Sequence, residues 1–465
     1  MKRVLVISYY WPPAGGSGVQ RWTKFSKYLP SEGWQPVIYT PENPELSSVD
    51  MTLLDDIPAE AEIIRRPILE PYGIYRRLMG SNASTDMKTL IGNDAAKATD
   101  GEVNPISGGS KSWKQSLSLW IRGNLFVPDP RVWWLRPSVR FLKKYLKEHP
   151  VDAIVTTGPP QSMHLIGLKL HKATGIPWVA DFRDPWTKMF YYKHLHLSKA
   201  ADRKQHRMEK AVLDGASAVI SVTPLVQREF QEMTRTPVVL ITNGFDEDDY
   251  PDMSATGTDG LDNAMEFRVT HTGLFAEDGN PLTLWDALAE KCAADEAFKS
   301  ALRIRLIGKV DEAITAAIEA RGLGPNLVNL GYRPHNEAVA EQRSASMLIL
   351  PLRQEPEYRN VLPGKIFEYL AARRPVLGIG QEDGAAAQVL ADTRSGVMCD
   401  WDNAAGIRSA VDRAWSMHLA ARRASSTPSI PGEENSSFPA FNPGGIERYT
   451  RRHLTHVLAT LLNQL

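Results

Sequence analysis

The chain has 465 residues, too many for one hydrophobic core, so two domains are expected. Its 54 Lys plus Arg residues are matched by 54 Asp plus Glu, which excludes a global basic field for nucleic acid and leaves anionic ligands to local charge. Cys292 and Cys399 form no CxxC or Cys/His spacing and the 11 histidines no HExxH, so no metal ligands are expected and the chain reads as a reduced intracellular protein.

The opening run Lys2 to Trp11 has the basic start of a signal peptide, but Pro12 and Pro13 cut it short and no small-residue cleavage site follows. A buried first strand over Val4–Ser8 is predicted instead. No later stretch reaches the roughly 18 uninterrupted apolar residues of a membrane span. The strand runs into Pro12-Pro-Ala-Gly-Gly-Ser-Gly18, then a helix beginning near Val19 that carries Arg21, Trp22 and Lys24. Glycines at the carboxyl end of a strand let the backbone approach a ligand, so Gly16 and Gly18 are candidate contacts; a plain turn is the alternative. The loop is no dinucleotide fingerprint. Arg21 stands where a third glycine belongs, and the second strand ends Val-Ile-Tyr-Thr40 without an acid.

Apolar runs followed by turn signals and helical patterns recur at Pro36–Tyr39, Ala153–Thr156, Trp178–Ala180 and Ala218–Val222. This is the rhythm of a largely parallel sheet with helices on both faces. Within the series, residues 80–112 are rich in Ser, Asn, Asp, Gly, Lys and Thr and predict a mobile insertion. Residues 113–136 interleave Trp113, Trp120, Phe126, Trp133 and Trp134 with Lys114, Arg122, Arg131 and Arg136. That pattern fits either a surface resting on anionic lipid or a core helix with charged edges. Asp181-Phe-Arg-Asp-Pro-Trp186 follows a strand directly. Asp181 and Asp184 are candidates for touching sugar hydroxyls, Arg183 for meeting phosphate or an anionic acceptor, and Pro185 and Trp186 for walling one side; a structural Asp–Arg pair capping the next helix is the rival.

The acidic, turn-rich stretch beginning at Asp246 separates a first domain over 1–246 from a second over 267–422, with 247–266 as linker. The second series of strands is Phe267–Thr270, Arg303–Ile307, Leu327–Leu330, Met347–Leu350 and Pro375–Ile379. His271-Thr-Gly-Leu-Phe275 and Leu306-Ile-Gly-Lys309 both follow strands with a glycine, where a backbone can lie against a diphosphate or simply turn. They fall at the same sheet end as Leu362-Pro-Gly-Lys-Ile-Phe-Glu368. There Pro363 and Gly364 open a helix whose first turn presents unpaired N–H groups, and Lys365 adds a full charge, a combination suited to a diphosphate. Glu368, three positions on, shares that face and can accept from two ribose hydroxyls; a solvated helix charge is the alternative. A connector from residue 423 to 444 leads into a helix pattern over Ile446–Leu465, whose Leu454, Leu458, Leu461 and Leu462 are expected to pack back on the first domain.

With the first twenty residues, Ile154-Val-Thr-Thr-Gly-Pro-Pro160 and Asn243-Gly-Phe245, these motifs resemble the retaining family 4 glycosyltransferases of the GT-B fold over nearly the whole chain. The resemblance implies an α/β architecture of two Rossmann-like, doubly wound, mostly parallel domains facing a central cleft, with the C-terminal helix crossing back. It implies a nucleotide diphosphate sugar donor held by Gly16, Gly18, Gly273, Lys309, Asn360, Gly364, Lys365 and Glu368. A glycan or lipid-linked acceptor would be bound by Arg21, Arg183 and Trp186 of the first domain.

Glu368 matches the second glutamate of the family's Glu-x7-Glu motif, the ribose acid, whereas the first falls at Asn360, which bonds without charge. The family's Arg and Lys diphosphate grip is missing after His271-Thr-Gly-Leu-Phe275, leaving Lys365 as substitute with Lys309 or Arg353 as a second cation. Asp181 to Asp184 stands where many members carry a histidine, so Asp181, Asp184 and Lys365 are the expected catalytic residues. The implied reaction is hexosyl-type transfer with retention, driven by electrostatic stabilisation of the leaving diphosphate, with no metal and no cofactor. Its expected setting is surface polysaccharide or lipid-linked glycan synthesis in the cytoplasm, with peripheral contact to the inner membrane face through 113–136. A sugar-nucleotide epimerase or phosphorylase on the same architecture, and a silent sugar-nucleotide-binding protein, are the rivals.

Overall fold

The computed structural model describes residues 1–44, 49–69, 124, 126–189, 192–195, 197–250, 265–426 and 443–465. The expected insertion at 80–112, the aromatic and basic stretch up to 123, most of the expected linker (251–264) and the middle of the connector (427–442) lie outside the described residues. The chain divides into two units, Met1–Thr242 with Arg451–Leu465, and Asn243–Thr450.

In the first unit the described strands are β1 (Lys2–Ile7), β2 (Trp34–Pro41), β3 (Glu62–Arg66), β4 (Ala153–Gly158), β5 (Trp178–Phe182), β6 (Ala218–Ser221) and β7 (Val238–Leu240). They pair in parallel in the order β3-β2-β1-β4-β5-β6-β7. Successive side chains point to opposite faces, so Val4 and Val6 join Trp22 and Phe25 in one core while Leu5 and Ile7 join Tyr39 and Ile154 in the other. Burial on both faces is why β1 reads as an unbroken apolar run. The direction of strand addition reverses between β1 and β4, and open α/β sheets place ligands at the carboxyl ends of strands beside such a reversal. Helix Arg451–Asn463 lays Leu454, Leu458, Leu461 and Leu462 into the core of Trp22 and Phe25. At about 1.5–3 kcal/mol per leucine removed from water, this burial is enough to hold the terminal segment on the first unit.

The second unit contains β8 (Phe267–Thr272), β9 (Leu302–Ile307), β10 (Leu327–Gly331), β11 (Met347–Pro351), β12 (Val376–Ile379) and β13 (Gly396–Cys399), parallel in the order β10-β9-β8-β11-β12-β13. Its reversal lies between β8 and β11.

Three strands depart from the sequence expectation. β3, β7 and β13 are edge strands; Glu62-Ile-Ile-Arg-Arg66 is half-solvated and lacks a continuous apolar run, whereas Val238–Leu240 and Gly396–Cys399 are only 3 and 4 residues long. The second unit starts at Asn243 rather than after a linker from 247, because Phe245 and Tyr250 are both buried in its core. The terminal helix begins at Arg451 rather than Ile446: Ile446–Tyr449 is a 3-10 turn whose Tyr449 packs on Phe367, 5.4 Å between rings, in the second unit. Among the described residues no helix is long and apolar enough to cross a membrane.

His164 and His418 are two of the three buried histidines among the described residues. His164 stacks on Phe182 at 4.3 Å and lies 2.8 Å from Thr156 Oγ1, and burial lowers its pKa to about 3. Burial, then Arg422, lowers His418 to about 4. Both folded values lie below the ordinary value of 6.5, so the unfolded chain takes up the protons first. The stability they confer is full above that value and is lost as pH falls toward the folded ones. Unfolding free energy is expected to drop by about 2–3 kcal/mol per histidine between pH 7.5 and 4.5, measured in urea, with a shallower drop in His164→Gln. An unchanged slope in that variant would assign the acid lability elsewhere.

Candidate active site

In the second unit, helix Gly364–Ala372 starts after Pro363 with no side chain capping its first turn. A Cβ at Gly364 would meet nothing within 4 Å, so this end opens on free space. Lys365 reaches from the first turn to the end of β8, its Nζ 3.1 Å from His271 Nε2 and 3.2 Å from the carbonyl oxygen of Leu274. Gly273 has φ +92°, and a Cβ there would sit 3.4 Å from Lys365 Nζ. Gly308, at φ +113°, is required because a Cβ would lie 2.5 Å from the Gly273 oxygen, while the Gly273 N–H donates to Ile307 at 2.8 Å. His271 is buried, and burial followed by the Lys365 charge holds its pKa well below the usual value. The ring is therefore neutral, with Nε2 accepting from the ammonium.

Glu368 is half-buried one turn further on, and its Oε2 accepts from Gln342 Nε2 at 2.9 Å. The neighbouring Tyr369, its phenol pushed up to about 12 by burial, accepts the Thr272 N–H at 3.0 Å and so pins the helix to the end of β8. Gly273, Gly364, Lys365 and Glu368 are thus brought together at the carboxyl edge beside the reversal between β8 and β11. Asn360 ends the short turn Pro356–Asn360 with its Oδ1 buried and unpartnered. Lys309 is exposed, its carbonyl accepting from Phe275 at 2.9 Å. Arg353 does not serve as the spare cation expected of it, since it is buried with Nη1 3.1 Å from Asp278 Oδ2.

The first unit corrects three expectations. Asp181 is fully buried. Its carboxylate accepts from Arg21 Nη2 (2.9 Å) and Nε (3.1 Å), Trp22 Nε1 (2.7 Å) and Thr157 Oγ1 (3.0 Å). Burial alone would raise this carboxyl, but the Arg21 charge and the donated bonds outweigh it and hold the pKa below the usual range. Arg21, also fully buried, donates to the carbonyls of Thr242 (2.8 Å) and Ile241 (2.9 Å). The pair is a sealed internal brace, which removes Asp181 from sugar contact and Arg21 from acceptor contact. Trp186 is buried too, its indole donating to Gln205 Oε1 at 2.7 Å, so it walls no open surface.

Arg183 is half-buried, with Nη1 2.8 Å from the Gly18 oxygen, Nη2 on the Pro159 oxygen and the guanidinium over Tyr10. A Cβ at position 18 would lie 2.6 Å from Nη1, so Gly18 makes room for Arg183. Gly16, at φ +100°, faces open space. Asp184 is half-buried, and burial pushes its carboxyl up against the pull of Arg183. Within the described part of the aromatic and basic stretch, Trp134 stacks on Tyr39 at 4.7 Å and Arg131 lies over Tyr9 at 4.8 Å, both buried, whereas Trp133 is 45% exposed. Among the described residues no group of three or more His, Cys, Asp or Glu side chains is arranged to hold a metal ion. His271 and Thr272 stand out in the sequence only as part of a glycine-bearing strand end, and Tyr369 and Gln342 not at all, because their partners lie far away in sequence.

Residues 108–249 match the model of Glycosyltransferase Family 4, and residues 266–416 that of Glycosyl transferases group 1. The sucrose-phosphate synthase of Thermosynechococcus elongatus has a similar structure, with TM-score 0.59 and 16% identity over 100% of this chain and 99% of that one. The chain is a GT-B glycosyltransferase of the family 4 type. The same fold recurs in the UDP-forming α,α-trehalose-phosphate synthase of Burkholderia vietnamiensis, with TM-score 0.56, 11% identity and 100% of both chains covered. It recurs again in the lipopolysaccharide outer core galactosyltransferase WaaB, with TM-score 0.54, 11% identity and 100% of both chains covered. No curated protein matches this glycosyltransferase in sequence.

Proposed function

We propose that this glycosyltransferase moves a hexose from a nucleoside diphosphate sugar to an acceptor hydroxyl with retention, in the synthesis of a surface polysaccharide or lipid-linked glycan. The carrying observation is the placement of Lys365 Nζ beside Gly273 at an uncapped helix N-terminus, with Glu368 one turn on. Positive charge and N–H groups at that edge suit a diphosphate whose charge grows as the sugar leaves, and Glu368 suits the ribose. Lys365 and the helix end supply there the charge that a divalent cation provides elsewhere, so metal-independent transfer is the reading this geometry supports. Asn360, with its unpartnered Oδ1, is assigned to the donor sugar, and Arg183 to the acceptor. The likeness to a lipopolysaccharide galactosyltransferase supports the surface-glycan setting.

Incubation with UDP- and GDP-hexoses in EDTA, with nucleotide release and product anomers followed by NMR, tests this reading. Transfer or slow donor hydrolysis with retained configuration is expected. Interconversion of the donor sugar would mark an epimerase, and donor binding without turnover a silent protein. Glu368→Ala is expected to weaken UDP or GDP binding by roughly tenfold to a hundredfold in calorimetry, the cost of losing a charged acceptor from a hydroxyl. Unchanged affinity would remove Glu368 from the site.

A further inference from the structure

We propose that Gln342 is the positioning residue that aims Glu368 at the ribose of the donor; this rests on the reading of Glu368 as the ribose acid. Gln342 sits in the last turn of helix His335–Arg343, 1% exposed, and uses every polar atom of its amide. Its Nε2 donates to Thr272 Oγ1 at 3.0 Å and to Glu368 Oε2 at 2.9 Å, and its Oε1 accepts from the Tyr250 hydroxyl at 3.3 Å. Burial, then the Glu368 charge, keeps the Tyr250 phenol protonated and therefore a donor. A donor against Oε1 decides which end of the amide faces Glu368, because a flip would set carbonyl against carboxylate and N–H against O–H. Thr272 is anchored in turn through its N–H on the Tyr369 hydroxyl at 3.0 Å. The carboxylate is thereby tied to the end of β8, where Gly273 and Lys365 meet.

The choice of an amide has a chemical consequence. An Arg or Lys in this place would pair with the carboxylate and compete with any hydroxyl donor. A neutral donor fixes Oε2 and leaves the charge intact, while Oε1 makes no hydrogen bond among the described residues. A second oxygen held in place and unspent is what recognition of a hydroxyl pair needs.

The test compares binding of UDP and GDP with their 2′-deoxy counterparts, and of inorganic pyrophosphate, to wild type, Gln342→Met, Gln342→Glu and Glu368→Ala. Wild type is expected to prefer the ribonucleotide by roughly tenfold. Both Gln342 variants should narrow that preference to about threefold or less, with pyrophosphate affinity kept within about twofold. Gln342→Glu keeps the shape of the side chain and decides the matter should Gln342→Met fail to fold. Loss of the preference in Glu368→Ala but not in the Gln342 variants overturns this inference and leaves the donor site standing. A preference that survives Glu368→Ala, or no nucleotide binding in wild type, overturns the donor site and the inference with it. Equal loss of pyrophosphate binding in the Gln342 variants would reduce Gln342 to a packing role and also overturn it.

Discussion

Replacing Lys365 with alanine is expected to lower kcat/KM for the sugar-nucleotide donor by roughly 100- to 1,000-fold, about 3–4 kcal/mol of transition-state stabilisation. The effect follows from where the ammonium is held. Its Nζ rests on His271 Nε2 and the Leu274 carbonyl, at the mouth of a helix whose first turn is uncapped. As the bond from sugar to phosphate breaks, negative charge accumulates on the departing diphosphate, and a cation already fixed in place needs no reorganisation to meet it. The family's paired cations after β8 are absent from the sequence and Arg353 is engaged by Asp278, so on this proposal Lys365 is expected to carry a large share. Folding stability should change little, since Lys365 is only half-buried. Steady-state kinetics with the best donor, beside UDP affinity by calorimetry, give the measurement. A loss smaller than tenfold would mean that the diphosphate is gripped elsewhere.

Replacing Asp181 with alanine is expected to have the largest effect on stability, a loss of about 3–5 kcal/mol in urea unfolding. The pair it makes with Arg21 is closed to solvent on both sides, 1% and 0% exposed at the side chains, and removing the acid strands a guanidinium that cannot neutralise itself. Trp22 Nε1 and Thr157 Oγ1 lose their acceptor in the same step. Out of a typical total of 5–15 kcal/mol, such a loss leaves a considerable unfolded fraction at physiological temperature. A cost below about 1 kcal/mol would contradict the sealed brace and return Asp181 to the list of residues free to touch substrate.

These two residues also mark the limit of what could be read before the structure. The shared helix face of Lys365 and Glu368 is legible in the sequence because the relation is local: residues three positions apart on a helix lie on one face, and Pro363-Gly364 announces where that helix begins. Asp181 was misread because its position at a strand's end is compatible with either a ligand or an internal partner. Its partner stands 160 residues earlier, in a helix whose register against β5 no local pattern reports. Gln342 was invisible for the same reason, bonding across 26 residues to Glu368 and across 92 to Tyr250. Trp186 shows the converse: an aromatic after a proline looks like a wall until Gln205 is found holding its indole.

The amino-acid order alone determined the two series of strand and helix units, the parallel sheets, the glycine-bearing strand ends and the charged helix start, since each is encoded in spacing over a few residues and in apolar runs that must leave water. Only the tertiary structure decided where the units divide, that the edge strands β3, β7 and β13 exist, and which polar side chains are consumed inside. Burial and hydrogen-bond pairing are relations between segments far apart in the chain. The same aspartate or glutamine is a ligand contact or a brace according to what the fold sets against it.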